Sequence, residues 1–371
     1  VAEETQKRKA DHIRICLNEK AQAKDITTGF EDVYFVHKAL PDVDKKKIDL
    51  TTYFLGHKFN APLMVGAMTG GTPEAEKINS HIAQAVEELG LGMGVGSQRA
   101  AIENSKLAKT FAVARKKAPT TFIVANIGGV QLVHGYGLKE IKKTIEMVDA
   151  DAVAIHLNAL QEAVQPEGQT NFEGIIEKIG EIADKLDKPL IVKETGSGIA
   201  AEEAKQLGES GVNALDVGGA GGTSFAAVEY YRAKRSEVDT RLIGEVFWDW
   251  GIPTAASIVE IAQTSKIPII GSGGIRDGTE VAKAIALGST LASATQPVLQ
   301  AAVESAAATQ RMLSIIVEEL RNTMFLVGSK NVQQLATVPI VLMGKTSKWL
   351  ENRGFDVKSY ARRGAKVNCE R

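Results

Sequence analysis

From residue 62 onward, short apolar runs alternate with longer stretches in which apolar residues fall at helical spacing. The runs cover 62–68, 91–96, 121–126, 152–157, 189–194, 214–219, 267–270 and 290–295. Their repeat of roughly 30 residues is the length of one βα unit. The runs are continuous rather than alternating, which suits strands buried on both faces of a parallel sheet. Eight such units predict an α/β protein, a (β/α)8 TIM barrel, with an open doubly wound sheet as the alternative.

Residues 1–60 read as a polar N-terminal extension, including an alternating stretch near 48–62 that predicts a hairpin across one barrel end. The barrel is expected over 61–330, with 296–330 helical, and 331–371 as a C-terminal tail, loosely ordered from Lys358 onward. The connection after the sixth run, from Phe225 to Ile258, is long enough to predict a functional segment, often a lid.

Composition narrows the class. The chain has 371 residues, 44% hydrophobic and 24% charged, with a formal net charge of −1. That balance gives no reason to expect a nucleic-acid or membrane partner. Cys16 and Cys369 lie near opposite ends, without disulfide or metal spacing, and a cytoplasmic setting is expected. Neither a transmembrane span nor a signal peptide is read from the sequence.

The chemistry gathers where the predicted strands end. GSGGIRDG, residues 271–278, joins a strand to a helix, and a further strand follows at 290–295. Glycine-rich turns at these two places are how such barrels hold a phosphate. The other strand ends carry Thr69, Ser97-Gln98-Arg99, Asn126, His156, Asn158, Gln161-Glu162 and Lys193-Glu194, and then the run Gly218–Thr223. Thr69, Ser97, Asn126 and Lys193 offer donors and acceptors to a flat heterocycle, and a lysine near the pyrimidine edge of a flavin would stabilise its reduced form. Arg99, His156 and the cations near Lys7-Arg8-Lys9 and His12 would hold a second anion. Glu162 supplies one hard oxygen, enough for Mg2+ when the ligand is a diphosphate. Read singly, each residue has a plainer alternative: a tight turn, a solvated charge, an ion pair or a core histidine.

The motifs RKADH (8–12), AMTGG (67–71), GSQR (96–99), AIHLNALQE (154–162), VKETGSG (192–198), GGAGGTSFAAVE (218–229) and GSGGIRDG, together with Asn126, span nearly the whole chain. In this combination the sequence resembles the type 2 isopentenyl diphosphate isomerases, FMN-dependent barrel enzymes of isoprenoid synthesis. The resemblance implies that Ala67, Met68, Thr69, Ser97, Asn126, Lys193 and Thr223 contact FMN. It places the FMN phosphate on Gly273, Gly274, Ile275, Arg276, Ala294 and Thr295. The substrate diphosphate would lie among Arg8, Lys9, His12, Ser97, Gln98, Arg99, His156 and Asn158. Gln161 would reach the isoprenoid part, Glu162 would bind Mg2+, and Glu229 would be an acid in a proton relay. Gln161, His156, Lys193 and Glu229 would then be the residues nearest the chemistry. NAD(P)H is the implied reductant, and a homo-oligomer, tetramer or octamer, is expected.

Moving a double bond needs a proton added at one carbon and removed from another. No carboxylate pair or cysteine is evident for this, so the reduced flavin is the expected acid–base group, with no net redox. The rival readings are another FMN-dependent TIM-barrel oxidoreductase acting on a small anion, a flavin-free phosphate-binding barrel and a non-catalytic scaffold. A hydroxy-acid oxidase would want a His and Arg pair near strand 7, and no histidine follows His156.

Overall fold

The computed structural model describes residues 2–234 and 237–364. Twelve strands occur among them: β1 Val33–Phe35, β2 Thr52–Phe54, β3 His57–Phe59, β4 Leu63–Val65, β5 Gly92–Gly94, β6 Phe122–Gly128, β7 Ala152–His156, β8 Leu190–Lys193, β9 Ala214–Asp216, β10 Ile269–Ser272, β11 Leu291–Ala294 and β12 Ile340–Leu342. β4 to β11 follow one another around a closed barrel, and β11 returns to β4 with Ser293 opposite Met64. All eight apolar runs are therefore barrel strands, and the open-sheet alternative is excluded.

The unbroken apolar character has a simple cause. Successive side chains on a strand point to opposite faces. Leu63, Ile123, Val153, Val192 and Leu215 point outward, into the core shared with the helices. Met64, Val124, Ala154, Ile191, Ala214, Ile270 and Leu291 point inward and fill the barrel. Two residues further along, the next inward positions are Asn126, His156, Lys193, Asp216, Ser272 and Ser293. The interior thus changes from apolar to polar within one layer, and that change puts the site at the C-terminal ends of the strands.

The opposite end is stoppered. β2 and β3 form the expected hairpin, with Leu55 and Gly56 both at positive φ (48° and 82°), as its two-residue turn requires. Phe54 and Phe59 pack on Phe122, with ring centroids 5.9 and 5.5 Å away. Burying each ring contributes about 1.5–3 kcal/mol.

Over the site end lies the N-terminal helix, Ala2–Asn18. The long connection after β9 is not an open lid. It folds into helices Phe225–Arg232 and Val238–Val246, and Ala227, Val228 and Trp248 bury Ile15 and Ala21 beside them. β12 pairs antiparallel with β1. The segment expected to loosen from Lys358 instead begins with a helical turn, Lys358–Ala361. There Tyr360 is buried and donates to the Leu287 carbonyl at 3.0 Å. Cys369 and the side chain of Lys7 lie outside the described residues. No helix among the described residues is long and apolar enough to cross a membrane.

Candidate active site

A cavity opens above the polar layer, walled by the strand ends and roofed by the N-terminal helix. Its first end is built by the turn after β10. Gly273 and Gly274 adopt φ of 104° and 75°. A Cβ on Gly273 would sit 2.3 Å from the Gly219 carbonyl oxygen, and one on Gly274 would sit 2.4 Å from Thr28 Cγ2. Only glycine fits both the angle and the space. No protein acceptor takes the N–H of Gly274 or Ile275 among the described residues. The Arg276 guanidinium bonds to the Gln22 amide oxygen and to the Ile275 carbonyl and meets no carboxylate among the described residues; burial pulls its pKa down. A half-buried guanidinium that makes no ion pair, beside free N–H groups, is a seat for an anion such as a phosphate. Thr223 and Thr295 line the same end. Ala294 does not: it is fully buried, and its carbonyl accepts the Gly66 N–H at 3.2 Å.

The middle of the cavity is bordered by Ala67, Met68, Thr69, Ser97, Asn126 and Lys193. The hydroxyls of Thr69 and Ser293 are buried there without partners. Lys193 Nζ donates to the Glu194 carbonyl at 2.6 Å rather than to a carboxylate. The Glu194 carboxylate turns back on its own loop and accepts the N–H groups of Thr195, Gly196 and Ser197. Burial nevertheless pushes its pKa up to about 7. Asp216, beside Lys193 in the barrel, accepts from Ser272 Oγ, and burial raises its pKa too. The orphaned hydroxyls, the unused N–H groups and the unpaired Arg276 guanidinium are donors and acceptors of the kind an FMN would use.

The other end is crowded with basic side chains. Arg8, Lys9 and His12 from the N-terminal helix meet Arg99 and His156 over one space. Lys9 donates to the Ser97 carbonyl, and burial, then Arg8, lowers its pKa to about 7. Burial, then Lys193, Lys9 and Arg8, lowers that of His156 to about 3. Arg99 is held by Glu103 at 2.8 Å and Gln169 at 3.2 Å, and Arg8 lies 3.7 Å from Glu167. His12 Nε2 lies 3.0 Å from Glu229 Oε1, and Arg232 grips the other Glu229 oxygen. Burial alone would raise the Glu229 carboxyl, but His12 and Arg232 hold it below the ordinary range. Glu229 is 1% exposed and reaches the cavity only through His12.

Gln98 is the clear correction among the substrate residues. It is 0% exposed and lies outside the cavity wall. Its amide is consumed by the Thr144 carbonyl and the Asn126 N–H, both at 2.9 Å. It is a support for Asn126, not a contact for an anion.

Beside the cations, Asn158 donates to Gln161 Oε1 at 3.1 Å and to Glu162 Oε1 at 2.9 Å. Glu162 Oε2 accepts from Gln165 Nε2 at 2.6 Å and from the Gln169 N–H at 2.7 Å. The side-chain amide oxygens Asn158 Oδ1 and Gln165 Oε1 are buried without partners. No group of three His, Cys, Asp or Glu among the described residues could hold a metal by itself. A carboxylate flanked by bare amide oxygens fits a hard cation that completes its shell from a ligand's phosphates.

Sequence reasoning missed Gln22, Glu167, Gln169 and Arg232, which support the site but lie in no strand-end motif, and the strand-end residues Asp216, Ser272 and Ser293, which line the cavity. The apolar roof, Ile13 and Cys16 with Phe225 and Leu299, was equally silent.

The FMN-dependent dehydrogenase family model matches residues 1–128 and 140–341. An isopentenyl-diphosphate delta-isomerase of Methanosarcina barkeri is 48% identical over 96% of this chain and 97% of its own. The proteins of that name from Archaeoglobus fulgidus (49%, over 94% of this chain and 99% of theirs) and Pyrococcus furiosus (47%, over 98% and 93%) are similarly near. Among solved structures, a putative lactate oxidase of Pediococcus acidilactici superposes with a TM-score of 0.61 at 18% identity, over 92% of this chain and 94% of that one. A mandelate oxidase gives 0.58 at 17%, over 92% and 98%. Those two likenesses concern the fold. The full-length sequence matches decide the family: this chain belongs to the isopentenyl-diphosphate delta-isomerases, built on the barrel of the FMN-dependent dehydrogenases.

Proposed function

We propose that the chain interconverts isopentenyl diphosphate and dimethylallyl diphosphate, using reduced FMN and Mg2+. The observation that carries this reading is one cavity with two separate anion seats. Arg276 and the free glycine-turn N–H groups form one, and Arg8, Lys9, His12, Arg99 and His156 form the other. The first suits the FMN phosphate, with Thr223 and Thr295 beside it. The second suits a diphosphate, with Asn158 and Ser97 at its edge and Glu162 holding Mg2+ against its oxygens.

FMN, when bound and reduced, supplies a ring nitrogen able to give and take a proton at carbon. The chain's own residues do the rest. Lys193 places a positive charge against the electron-rich ring. Asn158 holds Gln161 by its amide oxygen, so the Gln161 amide stays aimed at the hydrocarbon. Glu229, itself gripped by Arg232, fixes the His12 ring from behind. The apolar roof excludes water from the reacting carbons. NAD(P)H as reductant, a homo-oligomeric state and a cytoplasmic setting complete the reading.

The test is the redox balance. Purified protein with oxidised FMN should be inactive, and reduction should switch it on for many turnovers per NAD(P)H consumed. One NAD(P)H oxidised per product formed would instead identify a reductase.

A further inference from the structure

We propose that Gln22 gives the cofactor site its preference for a phosphorylated flavin by orienting two of the site's donors. The inference rests on FMN lying with its phosphate at Arg276. Gln22 is not part of the cavity wall. It follows the N-terminal helix, and its backbone forms an antiparallel bridge with Thr223. Ala23 N–H to Gly222 O (2.9 Å) and Ser224 N–H to Ala21 O (2.8 Å) fix that bridge on either side.

The Gln22 side chain is thereby held behind the phosphate end, between two groups that do line it. Its Nε2 donates to Thr223 Oγ1 at 3.1 Å, and its Oε1 accepts from an Arg276 guanidinium N–H. The reverse amide would set an NH2 against a guanidinium, so the orientation is forced. A hydroxyl has one proton. Because Thr223 Oγ1 already receives a hydrogen bond from Gln22, its own O–H is left to donate into the cavity.

Arg276 is pinned in the same way. The carboxylate that acts on its charge is Glu280, which already accepts the Arg276 main-chain N–H at 2.7 Å. Without the Gln22 oxygen, the guanidinium is free to turn toward that carboxylate and away from the cavity. Gln22 is therefore a positioning residue: it touches no ligand and acts through Thr223 and Arg276. It also ties the segment that carries Arg8, Lys9 and His12 to the cofactor's phosphate.

The experiment titrates apo-protein with FMN and with riboflavin, which has the same ring and no phosphate, following flavin fluorescence. Gln22→Ala removes the amide. Gln22→Glu keeps the shape but draws both donors onto a carboxylate beside the phosphate. Losing a hydrogen bond to a charged group should weaken FMN binding about tenfold in Gln22→Ala, and the misplaced charge should weaken it about a hundredfold in Gln22→Glu. Riboflavin affinity should stay within about twofold of wild type in both, which also reports that the variants fold. Equal losses for both flavins would make Gln22 merely structural and overturn the inference. So would wild-type FMN affinity in Gln22→Glu. A wild-type protein that binds riboflavin as tightly as FMN would overturn the phosphate placement itself, a separate outcome.

Discussion

His156 Nδ1 lies 2.8 Å from Asn126 Oδ1, and this contact sets the tautomer of the ring. Asn126 Nδ2 donates to the Val95 carbonyl at 3.1 Å, so the amide oxygen must face the imidazole. Nδ1 therefore carries the proton, and Nε2 presents a lone pair. Before an anion arrives, burial first and then the surrounding cations keep His156 neutral.

A diphosphate reverses that balance by bringing negative charge among Arg8, Lys9 and Lys193. The pKa values of His156, held down at about 3, and of Lys9, held down at about 7, should both rise. Binding at pH 7 should thus take up protons, measurable by calorimetry in buffers of different ionisation enthalpy. Lys9, already near 7, supplies most of that uptake, so uptake should shrink in Lys9→Gln, and no uptake by the wild type would refute the idea. The same depression has a stability sign. The folded ring binds fewer protons than the unfolded one between about 3 and the ordinary 6.5, so His156 makes the ligand-free protein lose stability as pH falls through that window.

Lys193→Ala should lower the reduction potential of bound flavin. Each 1.4 kcal/mol of lost stabilisation of the reduced form corresponds to about 30 mV for a two-electron couple. The measurement is a dye-coupled potential titration, and an unchanged potential with unchanged FMN affinity would remove Lys193 from its role.

Glu162→Gln should raise the Mg2+ concentration needed for half-maximal rate by about tenfold or more, because a neutral amide cannot replace a carboxylate on a hard divalent ion. Excess Mg2+ should restore part of the rate. A Mg2+ titration identical to the parent's would show that Glu162 holds no metal.

Gln161→Ala should behave differently, although it changes the adjacent residue. FMN and Mg2+ binding should stay near wild type while kcat falls, roughly a hundredfold if Gln161 positions the reacting group. A rise in KM with kcat unchanged would make Gln161 a binding residue only.

The barrel was legible because its strands are buried on both faces, which leaves a periodic apolar signal that no surface pattern imitates. β12 was not: a three-residue strand gains its identity only from pairing with β1, more than 300 positions away in the chain. The N-terminal helix was read as polar extension because its inward face offers little beyond Ile13, Ile15 and Cys16. Most residues at strand ends were found because an inward polar side chain after an apolar one is conspicuous. Gln98 was misread for the same reason. It stands beside two cavity residues, Ser97 and Arg99, yet its own side chain turns into the protein, and sequence does not carry that direction. Gln22 and Arg232 act across the chain from their partners, so no local pattern marks them.

The aromatic stopper under the barrel has a kinetic meaning. With Phe54, Phe59 and Phe122 sealing the far end, everything that enters must pass the mouth beneath the N-terminal helix. Ligands in such a blind well form a queue, last in and first out. With flavin and diphosphate placed as proposed, the flavin would load before the substrate and be held while the substrate is bound. Saturating diphosphate should therefore slow the escape of FMN without touching it.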